Sequence, residues 1–334
     1  MSLRLPDILS ARHILRGLAD ATPFVPSPYM SAQAGHDFLL KLEICQPIGA
    51  FKLRGAMNAV MTLPEGVSGV TCCSTGNHGR GVAYAAARQG LRAVICMSEL
   101  VPMAKVDGIR ALGAEVRIIG RSQDNALAES LRLVKDEGLV EISPFDDVKV
   151  IAGQGTIGAE MIEARPDLHS VLVPLSGGGL AAGVAVAIKS VAPSVRVIGI
   201  TMDRGAAMQA SIAAGRPVEV EEVPSLADSL GGGIGLQNRF SFPLCRDNLD
   251  EIVLVTEEEI RDAMQVLFYE DRMVAEGASV VGLAAVLAGK VKAEGPVGTI
   301  ITGRNLDMSQ FHRIMAGEDI SLGDRILKGK HYGT

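Results

Sequence analysis

Three consecutive glycines, Gly177-Gly178-Gly179, follow the apolar run ending at Pro174-Leu175-Ser176 and open the alanine-rich stretch Leu180-Ala181-Ala182-Gly183. Glycine reaches backbone conformations closed to other residues and lets the main chain approach a ligand closely. At a strand-to-helix turn, free amides and the helix dipole converge on an anion, most usefully a phosphate. A nucleotide is one candidate, but G-x-x-x-x-G-K-[ST] is absent, and Gly177-x-Gly179-x-x-Ala182 fits a dinucleotide fingerprint only loosely. Tight helix–strand packing accounts for the same glycines without any ligand.

A second turn reads Ser74-Thr75-Gly76-Asn77-His78-Gly79-Arg80-Gly81. Small hydroxyls and free amides at a helix start suit a carboxylate, and the Asn77 amide can donate to or accept from a ring oxygen. Helix capping is the simpler account of Thr75 and Asn77, and a lone histidine such as His78 is more often packed than catalytic. A third turn, Ile300-Ile301-Thr302-Gly303-Arg304-Asn305, ends a buried-looking run in a hydroxyl and a glycine. Finally, Gly49-Ala50-Phe51-Lys52-Leu53-Arg54-Gly55-Ala56 sets Lys52 in an otherwise apolar, helix-like stretch. Desolvation would lower the lysine pKa and leave a nucleophilic amine able to form an imine. Read alone, a lysine extending to the surface explains it as well.

The elements that must position these residues are legible as an alternation. Apolar runs near 69–74, 93–98, 115–119, 171–175, 196–201, 252–256 and 298–302 predict strands. Helix-period segments lie between them, near 77–89, 103–112, 124–137, 151–164, 179–191, 257–272 and 277–290. Val- and Ile-rich strands separated by helices indicate parallel sheets covered on both faces. The acidic run in Thr256-Glu257-Glu258-Glu259 fits a capping box rather than a binding feature. The segment 142–155, with Ser143-Pro144-Phe145-Asp146-Asp147 and Gly153-Gln154-Gly155, is rich in turn residues and marks a return from a smaller inserted lobe to a larger one. Ligands in such folds sit at the carboxyl ends of strands, where glycine-rich turns feed helices.

Composition narrows the function classes. The 334 residues are 48% hydrophobic, carry a formal net charge of −6 and include no tryptophan, which argues against a nucleic-acid surface. No apolar run is long enough to span a membrane. The start of the chain lacks a secretory layout, and five scattered cysteines without C-x-x-C spacing read as reduced thiols in a cytoplasmic protein.

Taken together and in this order, the four segments resemble the fold type II pyridoxal-phosphate enzymes, specifically the threonine/serine dehydratase and serine racemase branch, over about residues 20–310. That resemblance implies an α/β, tryptophan synthase beta-like architecture of two doubly wound open-sheet domains with pyridoxal 5′-phosphate between them. A larger domain would comprise 1–67 and 148–322, a smaller inserted one 68–147, and a tail 323–334. Lys52 would bind the cofactor as a Schiff base and later take the α-proton. Phe51 would pack beside the ring and Asn77 would bond its phenolic oxygen. Gly177, Gly178, Gly179 and Leu180 would hold the phosphate. Thr75, Gly76, Asn77 and His78 would cradle the substrate carboxylate, and Thr302 would face the pyridine nitrogen. A hydroxyl there leaves the ring a weaker electron sink, so loss of a β-hydroxyl is the expected exit, giving a 2-oxo acid and ammonia. A homodimer is also implied.

The sequence departs from the pattern at three places. Thr75 stands where the racemase pattern has an acid/base serine and is, with Lys52, a candidate catalytic residue on the opposite face; its methyl constrains the hydroxyl, which puts racemisation below elimination. Arg80 replaces a glutamine, and Thr302-Gly303-Arg304-Asn305 replaces the usual S-G-G-N. Arg80 and Arg304 are candidates for an anionic substrate group, with surface ion pairing the alternative. These variants look most like the dehydratases of hydroxyectoine utilization, so the expected substrates are threonine, serine or a hydroxyaspartate- or hydroxyectoine-derived amino acid. Amino-acid racemisation and β-replacement are the neighbouring alternatives, and a nucleotide-binding regulatory protein is the alternative from another class. The stretch Gly199-Ile200-Thr201-Met202-Asp203 lacks the glutamate of the branch's cation site, so no metal is expected. The short stretch after Gly317 leaves no room for an appended regulatory domain, so isoleucine is not expected to inhibit.

Overall fold

The computed structural model describes residues 3–74, 76–99, 101, 103–120 and 123–333. Its strands are β1 (Phe24–Pro26), β2 (Phe38–Leu42), β3 (Gly69–Cys73), β4 (Arg92–Met97), β5 (Glu115–Ile118), β6 (Val140–Glu141), β7 (Ser170–Pro174), β8 (Arg196–Met202), β9 (Glu251–Val255), β10 (Val297–Ile301), β11 (Ile320–Leu322) and β12 (Arg325–Leu327). One sheet runs β1-β2-β10-β7-β8-β9, parallel except for the antiparallel edge strand β1. A second, all-parallel sheet runs β5-β4-β3-β6, and its strands are inserted in the chain between β2 and β7.

The larger sheet is buried on both faces, as parallel strands require. Phe38, Leu40, Leu172, Ile198, Ile200 and Ile301 enter one apolar cluster. Their neighbours Leu39, Val171, Val173, Val197 and Ile300 enter the other. Each large aliphatic buried this way contributes roughly 1.5–3 kcal/mol. The seven strands read from the sequence occur within a residue or so of their expected limits. The strand β2 escaped that reading because Lys41 interrupts its apolar run, and β1, β6, β11 and β12 are too short to show a period.

Two expectations overlap at Gly153, Gln154 and Gly155, a helix over 151–164 and a turn-rich segment over 142–155. The helix is borne out as Val148–Ala164, the three residues lie buried in its middle, and only their reading as turn residues is corrected. A Cβ on Gly153 would lie 2.5 Å from the Arg54 carbonyl oxygen, and one on Gly55 would lie 2.8 Å from the Val150 carbonyl oxygen. These glycines let that helix press against the helix Lys52–Met61. A Cβ on Gly81 would likewise come within 3.1 Å of Ala56 Cβ, so the helix Asn77–Gln89 packs as tightly from the other side.

Ions reinforce the same junction. Buried Arg54 forks onto Glu43 at 2.8 Å through both Nε and Nη2, and reaches Glu160 Oε1 at 2.6 Å. Lys41 Nζ donates to Glu160 Oε2 at 2.6 Å. Burial lowers the Lys41 pKa, with the Glu160 carboxylate opposing that shift. Two cations and two carboxylates thus balance, tying β2 to both helices.

Beyond residue 322 the chain does not trail away. Strand β12 pairs with β11, and Tyr332 stacks on Tyr269 with ring centroids 4.7 Å apart. Gln265 Nε2 donates to the Lys330 carbonyl at 2.6 Å.

Candidate active site

Four chain segments leave carboxyl ends of parallel strands and meet at one cavity of about 290 Å³, near the lower end of the roughly 300–1,000 Å³ typical of small-ligand sites. Three of them start helices there. Lys52 is the first residue of its helix, Asn77 follows the N-cap Gly76, and Gly179 follows the N-cap Gly178. First-turn N–H groups have no intrahelical acceptor, so each helix offers donors and the positive end of its dipole. The fourth segment carries Thr302, just past β10.

The backbone holds Lys52 and Thr302 side by side. The N–H of Phe51 donates to the Thr302 carbonyl at 2.9 Å, the N–H of Arg304 donates to Gly49 at 3.0 Å, and Ala50 bridges Gly303. Lys52 Nζ donates to the Pro144 carbonyl at 2.6 Å and lies 5.4 Å from the Phe51 ring centroid. Burial lowers the Lys52 pKa to about 8, against a small raising effect of Cys72. The amine is therefore available as a nucleophile near neutral pH. Buried Thr302 pairs its hydroxyl with Ser279 Oγ at 3.0 Å, and Ser279 also accepts from the Gly303 N–H at 2.9 Å.

The glycine turn cannot carry side chains. Gly178 has φ +90°, in the left-handed region. A Cβ on Gly177 would lie 2.3 Å from the Phe145 ring, and one on Gly179 would lie 2.8 Å from the Phe145 backbone. Neighbouring groups take up the turn's carbonyls: Ser241 Oγ donates to Gly177 at 2.6 Å and the Cys245 thiol to Gly178 at 3.4 Å. Asp146 in turn accepts the N–H groups of Arg239, Phe240 and Ser241, fixing the start of the helix Ser241–Asn248.

The structure brings Phe51, Lys52, Gly76, Asn77, His78, Gly177, Gly178, Gly179, Leu180 and Thr302 to this one cavity. Thr75 lies outside the described residues. His78 is buried, its Nε2 paired with the Ile142 carbonyl at 2.7 Å, so that nitrogen carries the proton. Burial, then the Lys52 charge, push its pKa down to about 3, so the imidazole is neutral. Arg80 and Arg304 do not line the cavity. Arg80 Nε is buried with no partner among the described residues, and its Nη1 sits 2.7 Å from where a Gly108 Cβ would be. Arg304 is exposed and lies over Gly49.

Pro144 and Phe145, read from the sequence only as part of a turn, and Ser176, read only as the approach to the glycines, complete the walls together with Asp228 and Glu276, which the sequence reading did not single out. Glu276 had one visible signal, a lone acid in the otherwise apolar run Met273-Val274-Ala275 before Gly277. Among the described residues no group of three or more His, Cys, Asp or Glu is placed to hold a metal ion, and no helix is long and apolar enough to cross a membrane.

A half-buried lysine with a lowered pKa, a glycine turn at a helix start and a hydroxyl at a third strand end, all on one cavity, suit a phosphorylated carbonyl compound. Comparison with known proteins agrees: residues 15–303 match the model of pyridoxal-phosphate dependent enzymes. The chain belongs to that family. It is 51% identical, over 95% of its length and 96% of the relative's, to a Sinorhizobium fredii protein provisionally named a threonine dehydratase. It is 41% identical to the L-threonine ammonia-lyase of Thermotoga maritima, covering 97% of this chain and 81% of that one. Among solved structures, maize serine racemase superposes with a TM-score of 0.88 at 30% identity, over 95% of this chain and 98% of that one. The fold is thus that of the fold type II enzymes. The chain is a carbon–nitrogen lyase that uses pyridoxal phosphate.

Proposed function

We propose that this enzyme removes the β-hydroxyl and the amino group of a small β-hydroxy amino acid, threonine or serine first, releasing a 2-oxo acid and ammonia. The observation that carries this reading is Lys52, an amine with a lowered pKa set between the glycine turn and a strand-end hydroxyl, Thr302. When bound, pyridoxal phosphate supplies an electron sink conjugated to the substrate α-carbon. Lys52 holds the cofactor and takes the α-proton on Nζ. The amides of Gly177, Gly178, Gly179 and Leu180 bind the phosphate, where no Cβ intrudes. Phe51 flanks the ring, and Asn77 meets the ring oxygen. Thr302 faces the ring nitrogen, where a hydroxyl protonates it less strongly than a carboxylate would. The amides of Gly76, Asn77 and His78 receive the substrate carboxylate at the start of a helix, with Thr75 next to them in sequence as a further candidate. The site takes residues from both sheets, which supports a division into two lobes with the cofactor between them.

Among the lining residues the charged side chains are Lys52, Asp228 and Glu276. With Arg80 and Arg304 outside the lining, an uncharged β-substituent is favoured over that of 3-hydroxyaspartate. A panel of threonine, serine, 3-hydroxyaspartate and a hydroxyectoine-derived β-hydroxy amino acid, scored for 2-oxo acid release, tests the substrate. Faster turnover of 3-hydroxyaspartate than of threonine and serine would overturn the preference. Lys52→Ala should lose both the yellow colour of the loaded enzyme and its activity, and an active Lys52→Ala enzyme would end this reading. Racemisation is the second reading, supported by the likeness to maize serine racemase; D-serine formed from L-serine is its readout.

A further inference from the structure

Glu276 is 4% exposed on the wall of the cavity that Lys52 and the glycine turn also line. A carboxylate there is costly unless donors surround it. Its two oxygens accept from Asn77 Nδ2 at 3.0 and 3.1 Å, and Oε1 also accepts from the Asn305 N–H at 2.7 Å. Its own N–H donates to the Gly303 carbonyl at 3.0 Å. Asn305 completes the set: its Nδ2 donates to the Ile48 carbonyl at 2.9 Å and to Asn77 Oδ1 at 2.7 Å.

These contacts fix which way the Asn77 amide points. The Ile48 carbonyl can only accept, so the Asn305 NH₂ group must face it. That group then faces Asn77 Oδ1 as well, which leaves the Asn77 NH₂ group toward Glu276. A flipped Asn77 would oppose oxygen to carboxylate and nitrogen to nitrogen. One hydrogen of Asn77 Nδ2 is shared between the two Glu276 oxygens, and the other remains for the cavity that Asn77 lines. We infer that Glu276 and Asn305 are positioning residues that hold Asn77 as an obligate hydrogen-bond donor to the ring oxygen of the cofactor. A fixed donor stabilises that oxygen in its ionised form. The inference rests on the reading that Asn77 meets the ring oxygen.

The test uses cofactor-loaded wild type, Asn77→Ala, Glu276→Gln, Asn305→Ala and the double variant Asn77→Ala/Glu276→Gln. The readout is the ratio of visible to near-ultraviolet absorbance of the lysine-bound cofactor, with borohydride trapping at Lys52 as the check on loading. Asn77→Ala should lower the ratio several-fold. Glu276→Gln and Asn305→Ala should lower it in the same direction with Lys52 still loaded, and the double variant should fall no further than Asn77→Ala alone. If Asn77→Ala shifts the ratio but neither neighbour variant does, the positioning role is wrong and the Asn77 reading stands. If Asn77→Ala leaves the ratio unchanged, both are wrong. Fully additive shifts in the double variant would mean that Glu276 acts on the cofactor directly, which also overturns the inference. Thermal unfolding of the cofactor-free proteins separates misfolding from mispositioning, and Asn305→Ala carries the test if Glu276→Gln does not fold.

Discussion

At the scale of single residues, the site works through burial. Lys52 would be an ordinary ammonium in water; the surrounding protein brings its pKa down to about 8. The amine is then protonated below that pH and neutral above it, and only the neutral form attacks a carbonyl. Capture of pyridoxal phosphate by the cofactor-free protein should accelerate as pH rises and level off above about 8, with a loss of roughly tenfold per unit below it. Stopped-flow absorbance at several pH values checks this; a midpoint near 10 would contradict the burial argument. His78, with its pKa pushed down to about 3 and Nε2 committed to Ile142, should leave no inflection between pH 5 and 9. The weak link in reading such residues from sequence is reach. Asn77 and the glycine turn were legible because each sits at a strand-to-helix junction with a recognisable turn, whereas Lys52 and Thr302 stood out only through their order among the four segments. Arg80 and Arg304 were misleading because neighbours in sequence told nothing of where a long side chain ends. Glu276 offered only the signal of a lone acid beside an apolar run, because its partners Asn77 and Asn305 come from distant parts of the chain.

At the scale of elements, three helix starts and a strand end converge on one point, and glycine permits the approach. Gly177→Ala would drive a methyl into the Phe145 ring, and Gly179→Ala would press it on the Phe145 backbone. Overpacking of this kind costs about 1–3 kcal/mol. Here the strain falls on the turn proposed to hold the phosphate, so cofactor affinity should drop roughly ten- to a hundredfold. Equilibrium titration of the apo variants measures it, and a wild-type dissociation constant would remove the phosphate role. The glycine turn and the strands around it were readable because buried parallel strands leave unbroken apolar runs. Gly153 to Gly155 fell both in the expected helix 151–164 and in a turn-rich segment, because the need for glycine at Gly153 arises from Arg54 on a neighbouring helix, which no local pattern contains.

At the scale of the whole molecule, the helix that presents Lys52 is fastened to the larger sheet by charge. Arg54 lies two residues beyond Lys52, and its carboxylate partners Glu43 and Glu160 stand just after β2 and on the helix Val148–Ala164. Glu43→Ala should leave the guanidinium buried with one of its two carboxylate partners gone, destabilising the fold by about 3–5 kcal/mol. Denaturant unfolding measures that loss, and a change below 1 kcal/mol would show the network to be dispensable. The convergence of helix starts has a consequence of its own. If the glycine turn holds the phosphate, the cofactor-free cavity should also attract doubly charged anions, because its donors and dipoles do not depend on the pyridine ring. Ordinary inorganic phosphate or sulfate should therefore occupy it, raise the melting temperature of the cofactor-free enzyme in proportion to the logarithm of its concentration, and slow cofactor uptake competitively. The protein would thus emerge from synthesis in a phosphate-rich cell with a placeholder in its active site.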